Sequence, residues 1–433
     1  MSDGAAVIET SEATAGRAPF DIHNINTVRA WIGLWSRWGY APASFARAMA
    51  RFEAPGEVLR ADEATLEAEL RLSAEALGRL REARAEAGGA WEGWLIGEGA
   101  RELEGSERGV VAVGSALHEA LVGAMRSPPP FLFVRGAMEV LERAPGSRVA
   151  VVGSRRVSEG ALRQTRALAS AVVEQGGVVV SGGALGVDGA AHRGALDAGG
   201  ATVVVLAVGL DRLYPRSHRR LFERVVAEGG ALVTPFPLGV GARRHHFPRR
   251  NEVMASMSVA TMVTRARVRS GSLMTAEAAA KMGRLVGAVP GDVGLDETAG
   301  SNQLLELGAT PLVSAASVHP FMERARAAAK VGRGVRPGLS GRVPWRRVRE
   351  ATEEEVRAQG ELPLGGGELE VGDVARAVVG LLAEGPRQAD AIGRALGLEA
   401  TAVSVALLEL ELGACVERVG GGVYRLVSGG AEW

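Results

Sequence analysis

The chain reads Val149-Ala150-Val151-Val152-Gly153-Ser154-Arg155 and, after a helix-like segment, Val178-Val179-Val180-Ser181-Gly182-Gly183. Each apolar run is short enough to be one buried strand, and each ends in small residues that favour a turn. A repeated order of strand, small-residue turn and helix indicates an α/β fold. Both turns then lie at the carboxyl ends of parallel strands, the edge where open α/β sheets bind their ligands.

More apolar runs follow along the chain, and helix-like segments alternate with them. This alternation predicts a doubly wound, mostly parallel sheet between residues 147 and 318. The predicted strands are Val149–Val152, Val178–Ser181, Thr202–Ala207, Ala231–Val233, Ser258–Val263, Leu285–Val289 and Pro311–Val313. Two earlier runs, Gly109–Val113 and Phe131–Val134, are assigned to a joint that precedes the sheet.

The segments on either side of the sheet differ in composition. Residues 1–20 are rich in Ala, Ser, Thr and Glu and predict a disordered tail. Residues 21–146 are predicted to form a helical domain and the joint. The tryptophans near the start of this domain recur at helical spacing, which predicts that they form a buried core face. The alternative is that they stack on bases. Residues 319–370 are rich in Arg and Gly and indicate a basic linker. Three helices and a hairpin within 371–433 indicate a winged-helix domain.

Charge and cysteine content exclude several classes of protein. The chain carries 50 basic and 50 acidic side chains, so its net charge identifies no partner, and its one cysteine excludes an intrachain disulfide. No signal peptide or membrane-length apolar run is visible, which predicts a cytoplasmic protein without a membrane partner. Basic side chains nevertheless cluster, as they do in surfaces that collect polyanions. The clusters are Arg212, Arg216, Arg219 and Arg220; Arg243, Arg244, Arg249 and Arg250; and Arg342, Arg346, Arg347 and Arg349.

Two of the small-residue turns have the composition of an anion site. Gly153-Ser154-Arg155 places a hydroxyl and a guanidinium where a strand turns into a helix. Free backbone amides and the helix dipole favour an anion at such a turn, and arginine binds phosphate with two hydrogen bonds. A tight turn with a solvated arginine fits this segment equally well. Ser181-Gly182-Gly183 forms a second turn of this kind, with Asp188 as a candidate cap of the next helix.

Residues 243–251 read Arg-Arg-His-His-Phe-Pro-Arg-Arg-Asn and interleave cations with an aromatic ring. Cations pair with backbone phosphates and a base can stack on Phe247, whereas the alternative is an exposed arginine-rich loop. Ser270-Gly271-Ser272 opens another helix and adds hydroxyls and amides at the same edge of the sheet. Each turn alone also fits a plain connection, but their recurrence favours one shared site. The adjacent histidines have no cysteine nearby, so no metal is predicted.

These motifs, in this order, resemble the DNA-processing protein family DprA, also called Smf. The resemblance runs from Val151 to Ala309 and includes Gly186-Val187-Asp188, Tyr214-Pro215 and Val289-Pro290-Gly291 besides the turns above. The C-terminal segment resembles the winged-helix domain of many members. The family implies a Rossmann-like core and a protein that binds single-stranded DNA during natural transformation. Members protect that strand and help load the recombinase RecA, usually as homodimers, and no catalysis or cofactor is implied.

Carried over by position, the contacts of the family to the DNA strand fall on Arg155, Arg244 and Phe247. The residues expected to bind phosphates or to shape the pocket are Gly153, Ser154, Asn251, Ser270 and Ser272. The predicted nucleic-acid-binding set also includes Ser181, Gly182, Gly183, Arg250 and Gly271. Four departures from the family pattern change the charge of the pocket. Leu185 stands where a basic residue is usual, and Glu252 where an arginine is usual. Thr264-Arg265 stands where an acidic pair is common, and Thr234-Pro235 where Ser-Glu is usual.

The sequence therefore predicts a non-enzymatic protein that binds single-stranded DNA with salt-sensitive affinity and little dependence on base sequence. One alternative is a small-nucleotide-binding enzyme or sensor on a related Rossmann-like fold, with Glu252 or Glu277 as its carboxylate. Another alternative is a diverged DprA paralogue that keeps the fold and binds DNA weakly. No catalytic residue, metal or cofactor is assigned.

Overall fold

The computed structural model describes residues 7–8, 20–105, 107–330, 377–382, 385–398, 403, 406–407, 410, 416–419 and 423–426. The chain divides into two units, Met1–Arg349 and Glu350–Trp433. The first unit contains the N-terminal helices and a ten-stranded sheet, and the second contains a three-stranded sheet and helical segments.

Six helices form the N-terminal region: α1 (Ile25–Trp38), α2 (Pro42–Arg51), α3 (Pro55–Arg60), α4 (Glu63–Leu70), α5 (Ala74–Ala87) and α6 (Trp91–Glu102). Trp31, Trp35 and Trp38 of α1 are buried, and their rings meet Phe45 edge-on at centroid distances of 5.8, 5.0 and 5.1 Å. These tryptophans are core side chains, as their helical spacing predicts. Gly99 of α6 lies against the backbone of α1, where a Cβ would overlap the chain, so the two helices can approach closely.

Ten strands form one sheet in the order β1-β2-β3-β7-β6-β5-β4-β8-β9-β10. The strands are β1 (Val7–Ile8), β2 (Arg108–Ala112), β3 (Phe131–Gly136), β4 (Arg148–Val152), β5 (Val178–Ser181), β6 (Thr202–Val205), β7 (Ala231–Thr234), β8 (Ala260–Val263), β9 (Leu285–Ala288) and β10 (Thr310–Pro311). Strands β4 to β10 are parallel. Only the pairings of β3 with β2 and with β7 are antiparallel within this sheet. The predicted mostly parallel sheet is confirmed.

Helices cover both faces of the sheet. They are α7 (Ala116–Val122), α8 (Glu139–Glu142), α9 (Glu159–Glu174), α10 (Val187–Asp197), α11 (Arg219–Ala227), α12 (His246–Met257), α13 (Gly271–Lys281), α14 (Asp296–Glu306) and α15 (Val318–Lys330). Side chains of β4 alternate between two cores: Val149 and Val151 pack with α9, α10 and α15, and Val152 packs with α12, α13 and α14. A strand buried on both faces needs a continuous apolar run, which explains the valine-rich sequence of β4.

The sheet extends beyond the predicted limits of residues 147 and 318. Strands β2 and β3, assigned from the sequence to a joint, enter the sheet through β7, and β1, within the predicted tail, pairs with β2. Residues 1–6 and 9–19 of that tail lie outside the described residues. Helix α15 occupies the start of the predicted linker and packs Phe321 and Met322 against the sheet. The apolar face of α15 was not recognised in the sequence because arginines lie between its apolar residues. Residues 331–370 of the predicted linker lie outside the described residues.

The second unit contains the elements of the predicted winged helix. Residues 377–382 are helical, α16 spans Ala389–Leu396, and the strands β12 (Val416–Val419) and β13 (Val423–Leu426) form an antiparallel hairpin. Strand β11 (Arg387–Gln388) pairs with β13. The described residues of the predicted third helix are helical and buried at helical spacing: Val403, Ala406, Leu407 and Leu410. Across the part of the chain that the structure describes, no helix is both long and apolar enough to cross a membrane.

Candidate nucleic-acid interface

The strand order of the main sheet reverses between β4 and β8, because the chain leaves β4 towards β5 and later returns on the other side as β8. Open α/β sheets bind ligands at such a point, beyond the carboxyl ends of the strands. An open pocket of about 260 Å³ lies here, and we call it the polar pocket. Its lining residues are Val152, Gly153, Ser154, Arg155, Ala184, Asp188, Phe247, Arg250, Asn251, Met254, Ser270, Gly271, Ser272 and Thr275.

A second and smaller pocket of about 50 Å³ adjoins the polar pocket. The two share Arg155, Ala184, Phe247 and Arg250. We call the second one the apolar pocket, because its other lining residues are Gly182, Leu185, Ala207, Val208, Tyr214 and Pro215. Leu185 and Tyr214 are 39% and 46% exposed, so this rim offers apolar surface to solvent. A charged site beside an aromatic rim suits a phosphate and the base of one nucleotide.

Gly153 follows β4 where three segments of the chain meet. A Cβ at this position would lie 2.6 Å from Cγ2 of Val187 and 2.8 Å from the carbonyl oxygen of Arg265, so a larger residue would push these segments apart. The N–H of Ser154 donates to the same Arg265 carbonyl at 2.8 Å. The prediction that this amide is free for an anion is therefore wrong. The Arg265 side chain donates to the carbonyl oxygen of Thr264 at 3.0 Å and lines neither pocket.

The helix that begins at the polar pocket is α13, which the Ser270-Gly271-Ser272 motif places at this edge, and no residue of α9 lines the pocket. Helix α9 starts at Glu159, beyond the turn, and the Ser158 side chain caps it. At α13 the N-cap residue Ser270 makes no side-chain capping bond, and its hydroxyl lies 2.6 Å from that of Ser272. Gly271 and Ser272 line the pocket, and the first turn contains no acidic residue. The positive end of the α13 dipole therefore favours an anion here.

Arg250 is buried between the two pockets and is held by backbone carbonyl groups. Its Nη1 donates to the carbonyl oxygens of Gly182 at 2.5 Å and Val205 at 2.9 Å, and its Nε donates to Asn251 Oδ1 at 3.0 Å. Asn251 Nδ2 donates to the carbonyl oxygen of Gly271 at 3.1 Å. Burial lowers the pKa of Arg250 to about 10, so the side chain stays charged at neutral pH. This network fixes the turn after β5 relative to β6 and the start of α13.

Phe247 lies where the two pockets meet. The guanidinium carbons of Arg155 and Arg250 are 5.3 and 5.7 Å from the centroid of its ring, within the range of cation–π attraction. The Tyr214 ring lies 6.5 Å away at an interplanar angle of 74°. Arg155 is exposed, and its guanidinium forms no hydrogen bond or ion pair with the residues that the structure describes. The site therefore offers an uncommitted cation beside an aromatic ring.

The polar pocket also contains a carboxylate, that of Asp188. The sequence predicted this residue as a helix cap, but α10 begins at Val187 with Gly186 as its N-cap and no side-chain capping bond. Asp188 instead accepts the N–H of Ala184 at 3.3 Å. Burial raises the pKa of Asp188, and the charge of Arg250 opposes that rise. The signal in the sequence was present, since Asp188 follows a glycine turn at the ligand edge of the sheet.

The acidic residues considered for an enzymatic site lie elsewhere. Glu252 pairs with Arg249 at 3.8 Å, Glu277 pairs with Lys281 at 2.7 Å, and neither residue lines the polar or the apolar pocket. Glu252 therefore adds no negative charge to the pocket lining. Leu185, another departure from the family pattern, does line the site and places apolar surface where the family usually has a cation.

Most residues predicted for the site lie together, and three do not line either pocket. Ser181 is fully buried, and its hydroxyl donates to the Val151 carbonyl oxygen at 2.6 Å. Gly183 has a φ of +69°, and Arg244 is exposed outside both pockets. The residues that do line the pockets are Gly153, Ser154, Arg155, Gly182, Phe247, Arg250, Asn251, Ser270, Gly271 and Ser272. Their role in binding DNA stays a prediction.

Two protein-family models match the chain. The model described as DNA recombination-mediator protein A matches residues 110–323, and the DprA winged helix domain matches residues 367–422. The first match contains every strand from β3 to β10 and all residues of both pockets.

Curated relatives and a solved structure agree with these matches. DNA processing protein DprA of Bacillus subtilis is 30% identical over 214 residues, which cover 49% of this chain and 71% of the relative. Protein Smf of Escherichia coli is 31% identical over 207 residues, covering 48% of this chain and 54% of the relative, so the chain spans about half the length of that relative. The X-ray structure of DNA processing protein A from Streptococcus pneumoniae has a TM-score of 0.54 at 25% identity, over 66% of this chain and 95% of the other. The chain therefore belongs to the DprA family of DNA-processing proteins.

Proposed function

We propose that this protein binds single-stranded DNA at the polar and apolar pockets and catalyses no reaction on it. The observation that carries the proposal is the position of Phe247 at the junction of the pockets, 5.3 Å from the uncommitted guanidinium of Arg155. A phosphate fits between Arg155 and the start of α13, and a base stacks on the Phe247 ring. The names of the relatives, DNA processing protein and DNA recombination mediator, support DNA as the ligand.

The aromatic rim favours a single strand over a duplex. Within a duplex the faces of the bases are covered by their neighbours, whereas an unpaired strand exposes a face that can stack on a ring. Stacking of this kind stabilises a complex by about 1–3 kcal/mol per base and is common to all four bases. Phosphate contacts are also independent of base sequence. We therefore expect binding that discriminates strand state and not sequence.

We further propose a role in natural transformation, with the protein acting in the cytoplasm as a homodimer. In this role it protects the incoming strand and helps load the recombinase RecA. The motifs shared with the DprA family support these parts of the proposal. Sedimentation analysis tests whether the protein is a dimer. The ATPase rate of RecA on a single strand coated with this protein tests whether it helps to load RecA. A monomer, or a RecA rate that the protein leaves unchanged, would reject the corresponding part.

Fluorescence anisotropy of a labelled oligo(dT) across a salt series tests the DNA site. Arg155→Ala is the test variant, and Arg156→Ala is its control, because Arg156 is also exposed but lines neither pocket. Each phosphate contact to a single strand contributes about 0.7 to the slope of log affinity against log salt. We expect Arg155→Ala to reduce that slope by about 0.7 and the affinity at about 0.1 M salt by at least fivefold.

The same titration separates the alternatives. Tight binding by the wild type, weakened by Arg155→Ala and unchanged by Arg156→Ala, supports the proposal, and a matched duplex should compete poorly. Weak binding with the same dependence on Arg155 indicates a diverged paralogue. Equal effects of the two substitutions, or no binding at low salt, would reject the site.

A small-nucleotide site is a second candidate, favoured by the carboxylate of Asp188 inside the polar pocket. Burial raises the pKa of this carboxyl, and groups with a raised pKa serve as acids or bases in enzymes. Free nucleotides added as competitors test this candidate. Displacement of the oligonucleotide by a mononucleotide at micromolar concentration, together with turnover that Asp188→Asn abolishes, would favour the enzyme. No displacement would favour the DNA site.

A further inference from the structure

A third concavity lies beside the apolar pocket, and we call it the basic groove. It has a volume of about 810 Å³, which is larger than the polar pocket. Its lining residues are Arg135, Leu210, Asp211, Arg212, Leu213, Tyr214, Arg216, Arg219, Glu223 and Ala242. The loop after β6, the start of α11 and strand β3 supply most of them. The groove therefore contains most of the first arginine cluster noted in the sequence.

The acidic side chains of the basic groove are already engaged. Glu223 accepts two hydrogen bonds from Arg135, at 3.2 and 2.6 Å. Asp211 accepts the N–H of Gly239 at 2.9 Å and pairs with Arg212 at 3.3 Å. The groove contains four arginines and two carboxylates, so it keeps an excess of positive charge after these pairings.

The excess charge resides on Arg216 and Arg219. Both side chains are exposed, and neither forms a hydrogen bond or an ion pair with another described residue. Two uncommitted guanidinium groups in a concave surface attract a polyanion more strongly than isolated surface arginines do, because the concavity concentrates their field. Guanidinium groups also bind phosphate with two parallel hydrogen bonds.

The basic groove continues directly from the DNA site proposed above. Tyr214 lines both the apolar pocket and the groove, and it is 46% exposed at their boundary. The segment after Tyr214 is attached to the turn after β5, since Nδ1 of His218 lies 2.9 Å from the carbonyl oxygen of Gly183. Arg216 and Arg219 flank this anchored histidine. The backbone that carries both side chains is therefore anchored to the turn after β5.

We propose that the basic groove is a second DNA subsite, in which Arg216 and Arg219 bind phosphates of the same single strand beyond the base at Phe247 and Tyr214. This inference rests on the proposed function and adds to it the path that the strand follows. The strand runs from the polar pocket, across the Tyr214 ring, and into the groove. An alternation of cations and stacking rings along one path is the arrangement that sequence-independent single-strand binding requires.

The test compares oligonucleotides of two lengths. A strand of about 4 nucleotides occupies the polar and apolar pockets alone, and a strand of about 16 reaches the groove as well. The test variant combines Arg216→Ala with Arg219→Ala. Its control combines Arg163→Ala with Arg324→Ala, which removes the same charge from exposed positions on α9 and α15 that line none of the three concavities. Circular dichroism verifies that each variant is folded.

We expect the test variant to lose about 25-fold in affinity for the long strand at about 0.1 M salt, with a salt slope smaller by about 1.4, since two phosphate contacts are removed. Its affinity for the short strand should stay within about twofold of the wild type. The groove proposal would be overturned if the test variant kept the long-strand affinity and salt slope of the control while Arg155→Ala still weakened the binding of both oligonucleotides. Loss of the Arg155→Ala effect would instead overturn the proposed function and the groove with it.

Discussion

Arg155 and Arg250 are the same type of residue at the same site, with different environments. Arg155 is exposed beside Phe247, and Arg250 is buried and bonded to the carbonyl oxygens of Gly182 and Val205. Arg155 is thus available to a ligand, whereas most of the hydrogen-bonding capacity of Arg250 serves the fold. We therefore expect substitutions of the two arginines to affect different properties.

Arg250→Met should lower the free energy of unfolding by about 3 kcal/mol, because it leaves the buried carbonyl oxygens of Gly182 and Val205 without a donor. Arg155→Met is the matched control and should change stability by less than about 0.5 kcal/mol, since an exposed side chain is replaced. Urea denaturation of both variants provides the measurement. Equal stabilities of the two variants would contradict the structural role of Arg250.

The sequence could not distinguish these two arginines. Arg155 follows a Gly-Ser turn, and Arg250 follows a stretch rich in arginine and histidine. Both motifs are typical of a binding site, and the resemblance to the DprA family assigns both arginines to it. The carbonyl groups that hold Arg250 belong to segments 68 and 45 residues away in the chain, so no local pattern reveals them. The bond of the Ser181 hydroxyl to the neighbouring strand β4 is equally absent from the local pattern, because its partner Val151 lies 30 residues away in the chain.

At the scale of elements, the sequence predicted the central strands and the helix after β4, but not the contacts that hold the turn between them. Strands β4 and β5 coincide with their apolar runs to within a residue, because burial on both faces demands continuous valine. The helix-like segment that follows β4 in the sequence is α9, which begins at Glu159 after its cap Ser158. The sequence did not reveal the tertiary bond that holds the turn before α9, in which the Ser154 N–H donates to the carbonyl oxygen of Arg265 in the loop after β8.

Helix α6 makes a pH-sensitive contact with the loop after β7. The Oε2 atom of Glu102, the last residue of α6, accepts the N–H of Leu238 at 2.8 Å. Burial raises the pKa of Glu102 to about 7, and the nearby charge of Asp211 adds to the rise. Because this pKa lies above the unfolded value of about 4.3, the folded state binds the proton more tightly. The resulting stability is complete below the unfolded pKa and is lost as the pH rises through 7.

Glu102→Gln should remove this pH dependence. We expect the variant to be more stable than the wild type by about 3 kcal/mol near pH 8 and to differ little near pH 4, since the wild-type carboxyl is neutral there. Urea denaturation at both pH values measures the difference. Glu92→Gln, an exposed substitution on the same helix, is the control and should leave the pH profile unchanged. If the stability of Glu102→Gln depended on pH as that of the wild type does, Glu102 would not be the buried group that binds the proton.

At the scale of the first unit, the helical region and the sheet share one hydrophobic core. Trp31 and Trp35 of α1 belong to the same cluster as Phe131 and Phe133 of β3, and Trp35 Nε1 donates to the carbonyl oxygen of Pro235 at 3.3 Å. The spacing of the tryptophans predicted a buried face, but a periodic pattern does not identify what covers that face. The predicted division at residue 147 therefore separates segments that pack together.

The proposed DNA strand lies at the sheet edge of the first unit, and photo-crosslinking tests this position most directly. An oligonucleotide carrying 5-iodouracil is bound to the full chain, irradiated and digested, and mass spectrometry identifies the modified residue. We predict adducts on Phe247 or Tyr214, whose rings border the apolar pocket, and their loss in Arg155→Ala. Adducts confined to Tyr424 of the winged-helix hairpin, unaffected by Arg155→Ala, would contradict the account.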